Sequence, residues 1–140
     1  MSYIDLARFT EMHKRDYSTA LEEIQNGRKE THWMWYIFPQ VAGLGRTSMS
    51  EMYSIYSLEE AQAFLRDPYL GGNIREISNA LLDIETNDIE DVFDFPDNLK
   101  LQSSMTLFSI ASDGDSVFED VLNKFFEGRK DSATLDYFGL

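Results

Sequence analysis

Hydrophobic residues recur at three- and four-residue steps along most of this chain. From Asp5 to Gln25 the stripe is Leu6, Phe9, His13, Tyr17, Leu21 and Ile24, the spacing of one helix face. Asp5 stands where an N-cap belongs and Gly27 where a helix stops, with a break near His13–Asp16 as an alternative. Residues 31–38 read either as a short buried helix or as a strand, and Pro39 restricts Phe38 and ends the element. Residues 40–46, with Gly43 and Gly45, form a loop, and a short helix follows over 48–53. Ser57 opens the next helix as N-cap, Glu60 completes a capping box, and Leu58, Ala61, Phe64 and Leu65 make its apolar face. Pro68 either ends that helix or begins the following one, which carries Ile74, Ile77, Leu81 and Ile84 as far as Glu85. Asp88–Phe93 predicts a helical turn, and Phe95-Pro-Asp-Asn leads into a helix over 99–112. Asp115 then caps a helix bearing Val117, Val121, Leu122 and Phe125 that stops at Gly128, and a last short helix covers 132–138. Outside residues 33–38 there is no strand alternation. The expectation is an all-α fold, a single compact domain of about six to eight helices with short spacers and no internal repeat.

Composition narrows this picture. At 140 residues the chain suits one domain and can bury roughly two-thirds of its unfolded surface without covalent staples. Its 43% hydrophobic and 14% aromatic content supplies a packed core, which excludes a disordered chain. The absence of cysteine excludes disulfides, cysteine–zinc sites and a thiol nucleophile. A net charge of −13 repels phosphate backbones and acidic lipid surfaces, so neither nucleic acid nor a membrane is an expected partner. The opening residues lack a basic segment followed by a long apolar one, and no apolar run is long enough to span a bilayer. A soluble cytoplasmic protein is the default.

Candidate chemistry concentrates in two segments. Residues 28–46 hold both tryptophans and His32. They begin with Arg28-Lys29 and end in Gly43-Leu-Gly-Arg46. Trp33, Trp35, Tyr36 and Phe38 offer flat faces that can stack a ring, while the glycine loop and Arg46 could meet a phosphate. The alternative is an aromatic core followed by a tight turn, with Arg46 paired on the surface; no P-loop or G-x-G-x-x-G motif is present. His32 at the rim suits a general base, a ligand donor or a capping group. His13 on an apolar stripe is either a satisfied core histidine or half of a His13–His32 pair, and no spacing supports a metal site. The second segment, Leu99–Phe108, is apolar nearly all round and should be central. Lys100, Ser103 and Ser104 within it need partners. A ligand anion would serve Lys100, and so would a carboxylate from the acidic stretch 83–97. The serines permit close packing, or join Lys100 and His32 in a nucleophile set for which no recognised spacing exists. The acidic stretch and Asp113-Gly-Asp115 fit no calcium loop and suit helix caps and a solvated face.

Taken together, Thr31-His-Trp-Met-Trp-Tyr-Ile-Phe-Pro-Gln40 with Gly43-Leu-Gly45, then Tyr53, Ala61, Leu65, Pro68 and Leu70-Gly71, then Lys100-Leu-Gln-Ser-Ser-Met-Thr-Leu-Phe108, resemble a bacterial family, domain of unknown function 1810. Phe125-Phe-x-Gly128, Asp131 and Thr134-Leu135 extend the resemblance, which covers about Leu6 to Leu135. It implies a small, mostly helical cytoplasmic domain and supplies no activity. The calpastatin label borne by some members does not suit a compact aromatic chain. A remote likeness to helical domains acting on NAD or ADP-ribose derivatives would suit the stacking and phosphate-holding groups. The resemblance carries over His32, Trp33, Trp35, Gln40, Gly45, Lys100, Ser103 and Ser104 as a candidate pocket, with Arg46 just beyond. The expected ligand is a small phosphate-bearing molecule, nucleotide-like or ADP-ribose-like, between the 32–46 segment and the 99–108 helix. A protein-interaction module with no ligand is the alternative. If there is a pocket, His32, Lys100, Ser103 and Ser104 should converge on one concave cleft.

Overall fold

In a computed structural model of the chain, the residues described are 4–45, 47–112 and 116–140. The opening tripeptide, Arg46, the cap expected at Asp115 and the Asp113-Gly-Asp115 string lie outside them. Among the described residues eight α-helices follow one another: α1 (Ala7–Gln25), α2 (Met34–Ile37), α3 (Ser48–Met52), α4 (Leu58–Arg66), α5 (Pro68–Leu82), α6 (Asp97–Ser112), α7 (Ser116–Phe126) and α8 (Ser132–Tyr137), with a 3-10 turn at Ile89–Asp91. The only bridge pairing among the described residues is a parallel contact of Val41 with Ile55. None of the described helices is long and apolar enough to cross a membrane.

Local chemistry explains most boundaries. The first N–H of α1 donates to Asp5 Oδ1 (2.8 Å), and the helix runs unbroken to Gln25 before Gly27 turns at a φ of 89°. Ser57 Oγ accepts from Glu60 N–H (3.0 Å), and Glu60 reaches back to the N–H of Tyr56 (2.9 Å), so the capping box forms one residue wider than its usual register. Asp67 accepts from Tyr69 and Leu70, and Pro68 occupies the first turn of α5, where a missing N–H is harmless. Gly71 lets α5 approach α4: a Cβ there would overlap the Leu65 carbonyl. Residues 34–37 resolve as one helical turn rather than a strand.

α6 packs on α4, α7 and α8, while α1 packs on α5 and α2. That encirclement accounts for the apolar character of α6 on all sides: Leu101, Met105, Leu107 and Phe108 are all fully buried. Phe64 tilts against Phe108, Phe108 against Phe118, and Phe9 meets Phe64 edge-on at 5.2 Å.

Candidate functional site

The segment from Lys29 to Gln40 has two sides. On the inner side Trp33 is 1% exposed, set edge-on to Phe93 and tilted against Phe38. Its indole N–H donates to Glu23 Oε1 (2.9 Å). Glu23 also accepts from the N–H groups of Glu30 (2.7 Å) and Thr31 (2.9 Å) and from the Thr31 hydroxyl (2.6 Å). Burial pushes the Glu23 carboxyl up, but these hydrogen bonds outweigh burial and hold it below its ordinary range. Tyr36, the residue after the half-buried Trp35, faces inward as well. Its ring meets Tyr53 edge-on, and its hydroxyl bonds Asp16 and Arg15.

The Tyr36 carbonyl takes a hydrogen bond from His13 Nε2 (2.8 Å), while His13 Nδ1 accepts from Asn73 Nδ2 (3.1 Å). Those partners assign the neutral Nε2–H tautomer. Burial lowers the His13 pKa to about 4. His13 is therefore a satisfied core histidine.

The outer side opens onto a cleft of about 470 Å³. Trp35 supplies its aromatic wall, and Leu44, Pro96, Leu99 and Ala133 make most of the rest apolar. Lys100 stands over the Trp35 ring, its Nζ 5.5 Å from the centroid, and is 3.6 Å from Asp97 Oδ1. Gln40 is fixed by its carbonyl, which accepts from Ile55 N–H (2.9 Å), while its amide makes no hydrogen bond among the described residues. Gly45 must be bare, because a Cβ would overlap the Ser50 side chain that closes the same wall. Thr47 holds that wall by capping α3: it accepts from Ser50 N–H (3.1 Å) and donates to Ser50 Oγ (3.0 Å). Across the cleft, Asp131 caps α8 through Oδ2, which takes the Thr134 N–H (3.0 Å) and hydroxyl (2.6 Å).

Of the residues singled out from sequence, the structure brings Trp35, Gln40, Gly45, Lys100 and Ser103 to this cleft. Three others do not reach it. Trp33 is in the core, where its faces are covered and cannot stack a ligand. His32 is exposed and outside the lining. Ser104 is fully buried, and its Oγ has no hydrogen-bond partner. The convergence expected of four polar residues thus holds for Lys100 and Ser103 alone, and the set of Lys100, His32 and serine is not assembled. Ser103 Oγ donates to the Leu99 carbonyl (3.2 Å). Arg46 lies outside the described residues. The basic pair is engaged internally: Arg28 bonds Asp94 and the carbonyls of Glu90 and Asp91, and Lys29 bonds Asp97. The acidic stretch therefore supplies caps and partners for these cations. No group of three or more His, Asp or Glu among the described residues is placed to hold a metal ion. Leu44, Thr47, Ser50, Pro96, Leu99, Asp131 and Ala133 were not foreseen as lining; Thr47 and Asp131 carry a visible signal, since both are helix caps.

A family model described as "Protein of unknown function (DUF1810)" matches residues 3–138. Among solved structures, the crystal structure of a conserved hypothetical protein, Rv1873, from Mycobacterium tuberculosis is similar, with 41% identity over 95% of each chain and a TM-score of 0.93. No curated protein matches.

Proposed function

The chain belongs to the DUF1810 family, whose description assigns no activity, and from the cleft we propose that it binds a small phosphate-bearing molecule, nucleotide-like or ADP-ribose-like in outline. One observation carries the reading: the Trp35 face, the Lys100 ammonium above it and the Gln40 amide, unengaged among the described residues, share a ready-formed cavity. Its volume falls within the ~300–1,000 Å³ typical of ligand pockets, and its few polar groups on apolar walls are the usual composition of one. A flat ring would stack on Trp35, Lys100 would meet a phosphate, and Gln40 with Asp131 Oδ1 would read hydroxyl or amino groups. A single ammonium among the described lining residues of a strongly acidic protein suits one terminal phosphate better than a polyphosphate chain. We assign binding and no bond-breaking step, in a cytoplasmic protein that engages neither nucleic acid nor membrane.

The test is thermal melting with adenosine monophosphate, ADP-ribose and NAD. A ligand present at a hundredfold its Kd stabilises the native state by about 2.7 kcal/mol, so a bound one raises Tm by several degrees. Lys100→Ala and Trp35→Ala should each abolish that rise. No shift with any of the three on the wild-type protein overturns the reading. It would favour a protein-interaction module, for which Leu99 in the cleft and the adjacent Phe95, 47% and 76% exposed, would be the contact residues.

A further inference from the structure

Two lysines stand over two tryptophans in this molecule, and one carboxylate lies between them. Lys29 Nζ is 5.3 Å from the Trp33 ring and 3.0 Å from Asp97 Oδ2. Lys100 Nζ is 5.5 Å from the Trp35 ring and 3.6 Å from Asp97 Oδ1. The first pair is set into the protein, with the Lys29 side chain only 10% exposed. The second borders the cleft, with Lys100 23% exposed. Asp97 is further fixed by its own N–H, which donates to the Asp94 carbonyl (2.8 Å).

We propose that Asp97 occupies Lys100 in place of the ligand's anion, and that Lys29 keeps Asp97 from holding it tightly. This deepens the cleft reading and rests on it. Each oxygen of Asp97 serves one ammonium, and two ammoniums against one carboxylate leave one positive charge unneutralised. That charge is on the cleft side. A phosphate or carboxylate entering the cleft displaces the longer of the two contacts. It strands no charge, because Asp97 stays paired with Lys29 and Lys100 gains a new anion. Asp97 stands behind Lys100 rather than in the lining, and the acidic group among the described lining residues, Asp131, has one oxygen committed to Thr134. Asp97 and Lys29 are thus positioning residues that set the affinity for a ligand with one anionic end, while Lys100 makes the contact.

The arrangement predicts opposite effects from its two members. Adenosine monophosphate binding is measured by calorimetry on the wild type, Asp97→Asn, Lys29→Met and Lys29→Arg, with adenosine as the neutral probe and thermal melts alongside. Partly exposed ion pairs contribute little, so the expected changes are roughly two- to fivefold in Kd. Asp97→Asn should bind the monophosphate more tightly, Lys29→Met more weakly, and Lys29→Arg as the wild type does. Adenosine affinity should move with none of them. A merely structural role would weaken binding of both probes in both directions of substitution. If the wild type binds the monophosphate but Asp97→Asn does not tighten it and Lys29→Met does not loosen it, the proposal is overturned and the cleft reading stands. If neither the wild type nor Asp97→Asn binds it, the proposal is overturned, and if ADP-ribose and NAD fail to bind as well, the cleft reading falls with it.

Discussion

Trp33 and Trp35 are two residues apart, each beneath a lysine, and they do opposite work. Around Trp33 every polar group is used: the indole N–H, two backbone N–H groups and the Thr31 hydroxyl all converge on the Glu23 carboxylate. Around Trp35, among the described residues, groups are left over: the exposed part of the ring, the Gln40 amide and a lysine whose ion pair is long. The difference teaches how to tell a core aromatic from a binding aromatic. Residue type and local spacing are the same for both; what separates them is whether the neighbouring donors and acceptors already have partners.

That contrast can be tested by substitution on each side. The largest effect belongs to the inner side: Trp33→Ala should cost about 3–5 kcal/mol in urea unfolding, by removing a fully buried ring and one of the four donors to Glu23. A loss under about 1 kcal/mol would break the contrast. Next comes pH. His13 is neutral when folded, with a pKa of about 4 against an ordinary 6.5, so in that interval the unfolded chain binds more protons than the native one. Stability should fall as pH drops from 6.5 to 4, by on the order of 3 kcal/mol, and a His13→Gln variant should lose that slope. The Glu23 carboxyl acts further down: its folded pKa lies below the ordinary 4.5, so its contribution is present above pH 4.5 and is lost as pH falls through the folded value. Glu23→Gln should cost about 2 kcal/mol at neutral pH, since an amide turns a donor toward groups that need an acceptor. The smallest effect belongs to the outer side. Lys100→Ala should change stability by no more than about 0.5 kcal/mol while removing monophosphate binding. A large destabilisation there would make Lys100 structural and erase the distinction.

The helices were legible because their period, caps and prolines are local. Ser57 with Glu60, and Gly27, announce themselves within a few residues, whereas Pro68 allows two readings and the Asp67 cap on α5 decides between them. The ambiguity of residues 31–38 has a physical source. A single helical turn buried on most sides shows no period, and the Val41–Ile55 bridge that follows it is too short to alternate. Glu23 was missed for a related reason. A glutamate near the end of an amphipathic helix reads as solvated, and its role appears only once Thr31 and Trp33 fold back onto it. At the cleft, sequence supplied Trp35, Gln40, Gly45, Lys100 and Ser103, whereas Thr47, Ser50 and Asp131 depend on long-range packing. The inclusion of Trp33, His32 and Ser104 shows the limit of marking whole strings: successive residues along a helix, or leading into one, point in different directions.

The Val41–Ile55 bridge has a consequence of another kind. Two backbone hydrogen bonds, Ile55 to Gln40 and Ala42 to Ile55, close the base of the segment 42–54 that carries one wall of the cleft. The returning limb is held again by Arg8, whose guanidinium donates to the carbonyls of Met52 (2.8 Å) and Ser54 (3.0 Å). The outgoing limb, Ala42 to Gly45, has no such tether from α1 among the described residues. Opening this region breaks those few hydrogen bonds and the packing of Tyr53 on Phe9 and Tyr36, and leaves the contacts of α6 with α4, α7 and α8 in place. In native-state hydrogen exchange, the amides of α3 should open at lower free energy than those of α6, and Arg8→Ala should lower the α3 value while leaving the α6 value near that of global unfolding.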